Sequence, residues 1–184
     1  MKTRTRLGLV ALSISAVALW LARPGAGERI GPCGDPEIHV RKSEATLTLS
    51  CDHVERRRFP VTFGKSPHGP KEKEGDERTP EGSYEIVSAS RSARFDRFLL
   101  LSYPNREDRA RSARSGVSSP GGAIGIHGTT RDVRIMARMW IRVAQVTSLS
   151  RLWGPTDGCI ALINEDVEAL ADVAPVGTPV RISP

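Results

Sequence analysis

Aromatic, histidine and cysteine residues are all scarce in this chain, and each scarcity removes a class of function. Aromatics make up 5% of the 184 residues, which leaves little material for stacking nucleic-acid bases. Of the four histidines, His39, His53 and His68 share no metal-ligand spacing with one another or with the cysteines, so they read as solvated or structural and no metal site is expected. A strong charge of one sign is also missing. The formal charge is +6, but Lys2, Arg4, Arg6 and Arg23 supply four of those charges, and removing them leaves +2 for residues 28–184. That remainder is mixed, as in Lys71-Glu72-Lys73-Glu74, and reads as a solvated loop rather than a phosphate-binding stripe. No nucleic-acid partner is expected. Internal repeats and low-complexity tracts are absent as well.

One apolar run stands out. The basic start leads into Leu7–Ala22, about 16 residues, which is marginal for a membrane span and suits the hydrophobic region of a signal peptide. Gly25-Ala26-Gly27 offers small residues for cleavage, while Trp20 and Arg23 suit a membrane interface. Residues 1–27 are therefore read as a signal peptide or an N-terminal inner-membrane anchor, and residues 28–184 as one domain of an exported protein. Export to an oxidising compartment gives the odd cysteine count a meaning. Cys33 and Cys51 bracket the first expected hairpin and form the natural pair, which leaves Cys159 over; three unrelated thiols is the alternative.

Past the targeting segment, short strand-like runs alternate with turn clusters, the mark of a mainly β domain. Strands are expected at Glu37–Lys42, Ala45–Ser50, Arg58–Phe63 (with Pro60 at an edge or bulge), Gly82–Ala89, Phe98–Tyr103, Ala123–His127 and Pro179–Ile182. Polar loops fill Gly64–Gly82 and Pro104–Gly122, the second carrying Arg106, Arg109, Arg111 and Arg114 as an exposed charged stretch. Apolar residues at 133, 136, 139, 140, 143 and 146 predict a helix, with Met136 and Trp140 as packing residues. A second helix is expected after Asn164 as its cap, with Glu165 and Asp166 in the first turn, running through Val167, Leu170 and Val173. Pro175 and Gly177 end it.

Chemistry concentrates in Thr156-Asp157-Gly158-Cys159-Ile160-Ala161-Leu162. A thiol attacks as its thiolate and needs a neighbouring base and an open approach. Gly158 allows close backbone approach and exposes amides that can stabilise an oxyanion. His127 closes an apolar strand 32 residues upstream and can reach Cys159 if strands 123–127 and 158–163 lie side by side. From these residues alone, a buried core thiol and a Cys–His pair both stay open.

His127-Gly128 followed by Thr156-x-Gly158-Cys159-Ile160 resembles the signature of the YkuD (ErfK-type) L,D-transpeptidases: a histidine-glycine, a spacer, then Ser/Thr-x-Gly-Cys. The likeness extends to Gly64-Lys65-Ser66 through Thr79-Pro80-Glu81-Gly82 and to the closing Asn164–Val180 segment, covering roughly residues 37 to 182. It implies a β-sandwich-like catalytic domain of the periplasm or cell envelope acting on peptidoglycan stem peptides. Cys159 is then the nucleophile and His127 the base; the Gly128 carbonyl orients the imidazole, amides near Gly158 and Cys159 form the oxyanion hole, and Thr156 fills the Ser/Thr position. No cofactor is implied, because thiolate and imidazole suffice for acyl transfer. Having the histidine before the cysteine disfavours papain-like and NlpC/P60-like peptidases, and the lack of an arginine between Cys159 and Arg181 disfavours sortases.

Three departures from the pattern affect the expectation. Ala161 stands where many members carry arginine or asparagine. Asp157 replaces a frequent histidine, and its carboxylate opposes a nearby thiolate. The spacer from His127 to Thr156 holds 28 residues, longer than usual, with the 133–146 helix expected to fill the excess as a lid. Transpeptidation is the first expectation. An L,D-carboxypeptidase or hydrolase using the same two residues is the second, and a non-catalytic wall-binding domain the third.

Overall fold

A computed structural model describes residues 28–66, 68–91, 95–128 and 156–184. The segments 1–27 and 129–155, with the expected targeting run and the 133–146 helix, lie outside the described residues.

Eight strands form one sheet in the order β3-β2-β1-β8-β4-β5-β6-β7. In chain order they are β1 (Pro36–Arg41), β2 (Thr46–Cys51), β3 (Val54–Pro60), β4 (Gly82–Ser90), β5 (Phe98–Leu101), β6 (Gly125–His127), β7 (Ile160–Ala161) and β8 (Pro179–Ser183), with helices α1 (Arg106–Arg114) and α2 (Asn164–Ala171). The mainly β expectation holds, and expected strand boundaries lie within a few residues of those observed. The alternation that marked the strands is the one they bury. Ile38 and Val40 on β1, Tyr84 and Ile86 on β4, and Val180 and Ile182 on β8 face the core, while Glu85 and Arg181 stay outside. The β2–β3 turn needs two left-handed residues, and Asp52 (φ 53°) and His53 (φ 64°) supply them.

The sheet curls until its first and last strands meet. Beyond Pro60, the chain following β3 forms a bridge between Thr62 and Ala161, with Thr62 N donating to Ala161 O (3.0 Å) and Ala161 N to Thr62 O (2.9 Å). This closure wraps the two halves of the sheet around Leu47, Leu49, Phe59, Phe63, Ile86 and Ile126, all of them buried. Cys33 and Cys51 are disulfide-bonded with Cα atoms 5.1 Å apart, which ties the segment before β1 to the end of β2.

Two expectations about helices change. The arginine-rich 104–122 stretch contains α1, which has no apolar face for periodicity to detect; only Ala110 and Ala113 are apolar in it. Its start is instead fixed by a capping box: Asp108 N donates to Asn105 Oδ1 and Asn105 N to Asp108 Oδ2, each at 3.0 Å. Asp108 is buried and also accepts from Tyr84 Oη at 3.1 Å, which fastens the helix to β4. Helix α2 begins where expected, with Glu165 and Asp166 in its first turn, but Ile163 is its cap residue and Asn164 is already helical. The Asn164 side chain makes a different bond, donating from Nδ2 to Asp96 Oδ2 at 2.6 Å.

The 64–82 loop is long but internally pinned. Lys42 Nζ, buried at the end of β1, donates to Glu81 Oε1 (2.7 Å), Gly69 O (2.7 Å) and Thr79 O (3.1 Å). A second buried pair joins Lys71 Nζ to Asp76 Oδ1 at 2.6 Å, and Asp76 also accepts from the backbone of Glu72, Lys73 and Arg78. Such pairs hold a loop in one geometry because removing one partner leaves a buried, unmatched charge.

Candidate functional site

Strands β6 and β7 pair in parallel, with Ile126 opposite Ile160 and His127 opposite Ala161. Ile126 and Ile160 enter the core, while His127 follows Ile126 on β6 and Cys159 immediately precedes Ile160. They stand one residue to either side of the paired isoleucines. Strand rise and spacing therefore separate their Cα atoms by about 8 Å, within reach of a thiol and an imidazole. The side-by-side strands expected from the sequence are present, although β7 itself is only two residues long.

The His127 ring is held on three sides. Its Nδ1 lies 2.6 Å from Gly128 O. A carbonyl can only accept, so Nδ1 carries the proton, and in the neutral ring Nε2 is the acceptor. Phe95 packs on the ring at 4.1 Å between centroids, and Phe98, its cross-strand neighbour on β5, stacks at 5.9 Å and 11°. The two phenylalanines are not singled out in the sequence; their only signal is a pair of aromatics three residues apart at the start of β5. A Cβ on Gly128 would meet Asn164 Oδ1 and Val167 Cγ1, so a side chain there would push the Asn164 side chain aside.

Cys159 is half-buried and outside the disulfide, and its thiol points to Ala123 O at 3.6 Å. The turn before it is shaped by Thr156, whose hydroxyl donates to Cys159 O (2.7 Å) and accepts from Gly158 N (3.2 Å). Gly158 has φ 134°, a conformation essentially reserved for glycine, and a Cβ on it would lie 2.6 Å from Arg78 O. The backbone of the 64–82 loop thus runs directly against this turn. Lys65 N also donates to Thr156 O at 3.0 Å.

Asp157, expected to oppose a thiolate, carries its own counter-charge. Lys65 Nζ donates to Asp157 Oδ1 at 2.7 Å and to Glu77 Oε1 at 3.1 Å. Ala161 is buried in the ladder between Thr62 and His127 and presents only a methyl group. The arginines at 106–114 sit on α1. Away from the site, His39 Nε2 meets Ser183 Oγ at 3.0 Å. His53, Asp35 and Glu37 bring ligand-type atoms within 4.8 Å of one another, with His53 and Glu37 paired at 3.2 Å. Sequence spacing missed this trio because the β2–β3 turn folds His53 back onto the start of β1.

With this geometry in hand, the sequence matches the YkuD family, the L,D-transpeptidase catalytic domain, over residues 35–182. The chain belongs to this family. Solved structures agree on the fold. The helical cell shape determining protein Pgp2 from Campylobacter jejuni is 22% identical, with TM-score 0.57, and the alignment covers 90% of this chain and 54% of Pgp2. An L,D-transpeptidase from Mycobacterium tuberculosis H37Rv is 20% identical (TM-score 0.51; 81% of this chain and 58% of that one). L,D-transpeptidase 3 from Mycobacterium tuberculosis, solved with a faropenem-derived adduct, is also 20% identical (TM-score 0.50; 81% and 61%). The YkuD chain described here thus spans about half the length of Pgp2. No curated protein matches it significantly.

Proposed function

We propose that this protein is an exported cysteine acyltransferase that acts on peptidoglycan stem peptides, with Cys159 as nucleophile and His127 as general base. The observation that carries the reading is the His127 Nδ1–Gly128 O bond on the strand that pairs with the one following Cys159, which makes Nε2 the acceptor of the neutral ring. Nε2 takes the thiol proton, and the Cys159 thiolate attacks the carbonyl of the diamino acid in a tetrapeptide stem. The Thr156 hydroxyl accepts from Gly158 N and shapes this turn, and the Cys159 backbone amide serves as an oxyanion donor. Collapse of the tetrahedral intermediate breaks the peptide bond. His127 returns the proton to the departing D-alanine amine, and a Cys159 thioester remains. An amine acceptor then takes the acyl group and restores the thiol. The phenylalanines on the imidazole keep it in one orientation through both proton transfers.

A second reading has water in place of the amine, giving an L,D-carboxypeptidase or a hydrolase of peptidoglycan cross-links or protein–peptidoglycan links. Ala161 favours it, since a buried methyl offers nothing polar with which to hold an acceptor. In either case residues 1–27 act as signal peptide or membrane anchor of a domain that works in the periplasm or cell envelope.

Incubating the protein with muropeptides and reading products by mass spectrometry, with and without excess amine, tests both readings. An amine adduct supports transfer, and hydrolysed product alone supports the second reading. Cys159→Ser should abolish turnover, and His127→Ala should slow acylation by 10²-fold or more, on the order of the contribution of a general base. A carbapenem should label Cys159. Wild-type turnover in Cys159→Ser would overturn the mechanism.

A further inference from the structure

The corner where the 64–82 loop meets the nucleophile turn holds a charge arrangement that the acyl-transfer scheme does not use. Asp157 lies two residues before Cys159, and its side chain is 76% exposed and ion-paired with Lys65. An unmatched carboxylate there raises the free energy of the thiolate and not of the thiol. Lys65 is attached to the same turn twice. Its main chain donates to Thr156 O at 3.0 Å, and its ammonium reaches Asp157 Oδ1 at 2.7 Å. The ammonium also bonds Glu77 Oε1 at 3.1 Å, and the bonds to Asp157 and Glu77 hold it above the ordinary lysine range. The lysine therefore stays charged wherever a thiolate forms. Glu77 and Arg78 belong to the stretch that packs on Gly158 and is pinned below by the Lys71–Asp76 pair, so the ammonium is held by a rigid loop.

We propose that Lys65 is a positioning residue for the nucleophile, neutralising Asp157 and clamping the Thr156–Cys159 turn so that the Cys159 thiolate forms near neutral pH. The inference rests on the reading of Cys159 as nucleophile. Among the described residues, the charged and titratable groups around this corner are His127 on β6, Lys65, Glu77 and Arg78 on the 64–82 loop, and Asp157 itself. Of these, Lys65 is the cation bonded to Thr156 O and to the Asp157 carboxylate, the two residues that precede Gly158. Removing its charge exposes the thiolate to Asp157, whereas removing both charges cancels.

The test is the pH profile of Cys159 alkylation by iodoacetamide on the full chain with its disulfide intact, in wild type, Lys65→Met, Lys65→Arg, Asp157→Asn and the Lys65→Met/Asp157→Asn double variant. Unit charges about 7–8 Å apart near water change a thiolate population about two- to threefold. Lys65→Met should therefore shift the profile to higher pH and slow alkylation by that factor below the midpoint. Lys65→Arg should follow wild type, and the double variant, with both charges removed, should return to the wild-type profile. A wild-type profile for Lys65→Met, or a double variant that stays as slow as Lys65→Met, overturns the proposal. Alkylation needs no turnover. A protein that fails to acylate with a carbapenem or muropeptide refutes the catalytic reading separately, whatever the lysine does to this profile.

Discussion

Replacing Gly158 by alanine isolates the contribution of the nucleophile turn. At φ 134° an L side chain is strained by about 1–3 kcal/mol, because the region is essentially restricted to glycine. The added Cβ would also lie 2.6 Å from Arg78 O and 3.0 Å from Ile124 Cδ1. The isoleucine methyl can rotate away, but the carbonyl belongs to a backbone fixed by the Arg78 N–Asp76 bond of 3.1 Å and cannot yield cheaply. Overpacking of this kind costs about 1–3 kcal/mol. The two costs overlap, since one movement of the turn relieves both, so a loss of about 2–4 kcal/mol is expected. If the turn moves to escape, the Thr156 Oγ1–Cys159 O bond stretches and the thiol loses its placement. Urea unfolding should therefore show a lowered midpoint with unchanged slope, and carbapenem acylation should fall at least tenfold. Gly122→Ala is the control: no atom lies within 4 Å of its added Cβ, and its cost should stay below about 0.5 kcal/mol. If Gly158→Ala unfolds and acylates like that control, the turn does not constrain the site in the way described.

Two further outcomes concern stability. Burial alone would raise the Asp76 carboxyl, but Lys71 and three backbone N–H groups more than offset it and hold it below the usual carboxylate range. A depressed folded value contributes stability above the unfolded value near 3.9 that is lost as pH falls through the folded one. Asp76→Asn should therefore flatten the acid limb of stability against pH and cost about 3 kcal/mol at neutral pH, read by urea melts across pH 2–7. Reducing the Cys33–Cys51 bridge, which spans 18 positions, should lower stability by about 3 kcal/mol in the same assay, and an unchanged midpoint would refute its structural role.

What was legible in the sequence follows the physics of each element. Strands such as β1, β4 and β8 were readable because one face is dry and the other wet, so period two is written into the residues themselves. Helix α1 was not, because it is held by its capping box, by Tyr84 and by a Ser112 hydroxyl bonded to Glu72 O, none of which leaves a hydrophobic stripe. The signal present was Asn105-x-x-Asp108 followed by Arg111 and Arg114 in the last turn. Asn164 misled in the opposite way. Its type and position suit a cap, but the nearby Asp96 carboxylate offers its amide a charge-assisted partner, and Ile163 takes the cap position without a side-chain bond. At the site, Cys159, His127 and their glycines were legible as a motif. Phe95, Phe98 and Lys65 were not, since they act through contacts between residues 29 or more positions apart.

The same long-range dependence explains where the site sits. Strand β7 is two residues long and could not hold a nucleophile by its own ladder, so its register must come from both neighbours. On one side it pairs with β6 in parallel, and Leu162 N continues that ladder to His127 O at 2.9 Å. On the other side, Thr62 closes the sheet against Ala161, and Thr156 N reaches Phe63 O at 3.4 Å. The nucleophile turn is therefore suspended across the seam at which the curled sheet meets itself. Such a seam forms only once both halves of the sheet are in place, because residues 62 and 161 are brought together by everything between them. Closing so large a loop is repaid only by the finished core. The site thus forms with the global fold rather than with any local unit, and the thiol becomes competent when the apolar core beneath Ile126 and Ile160 is complete.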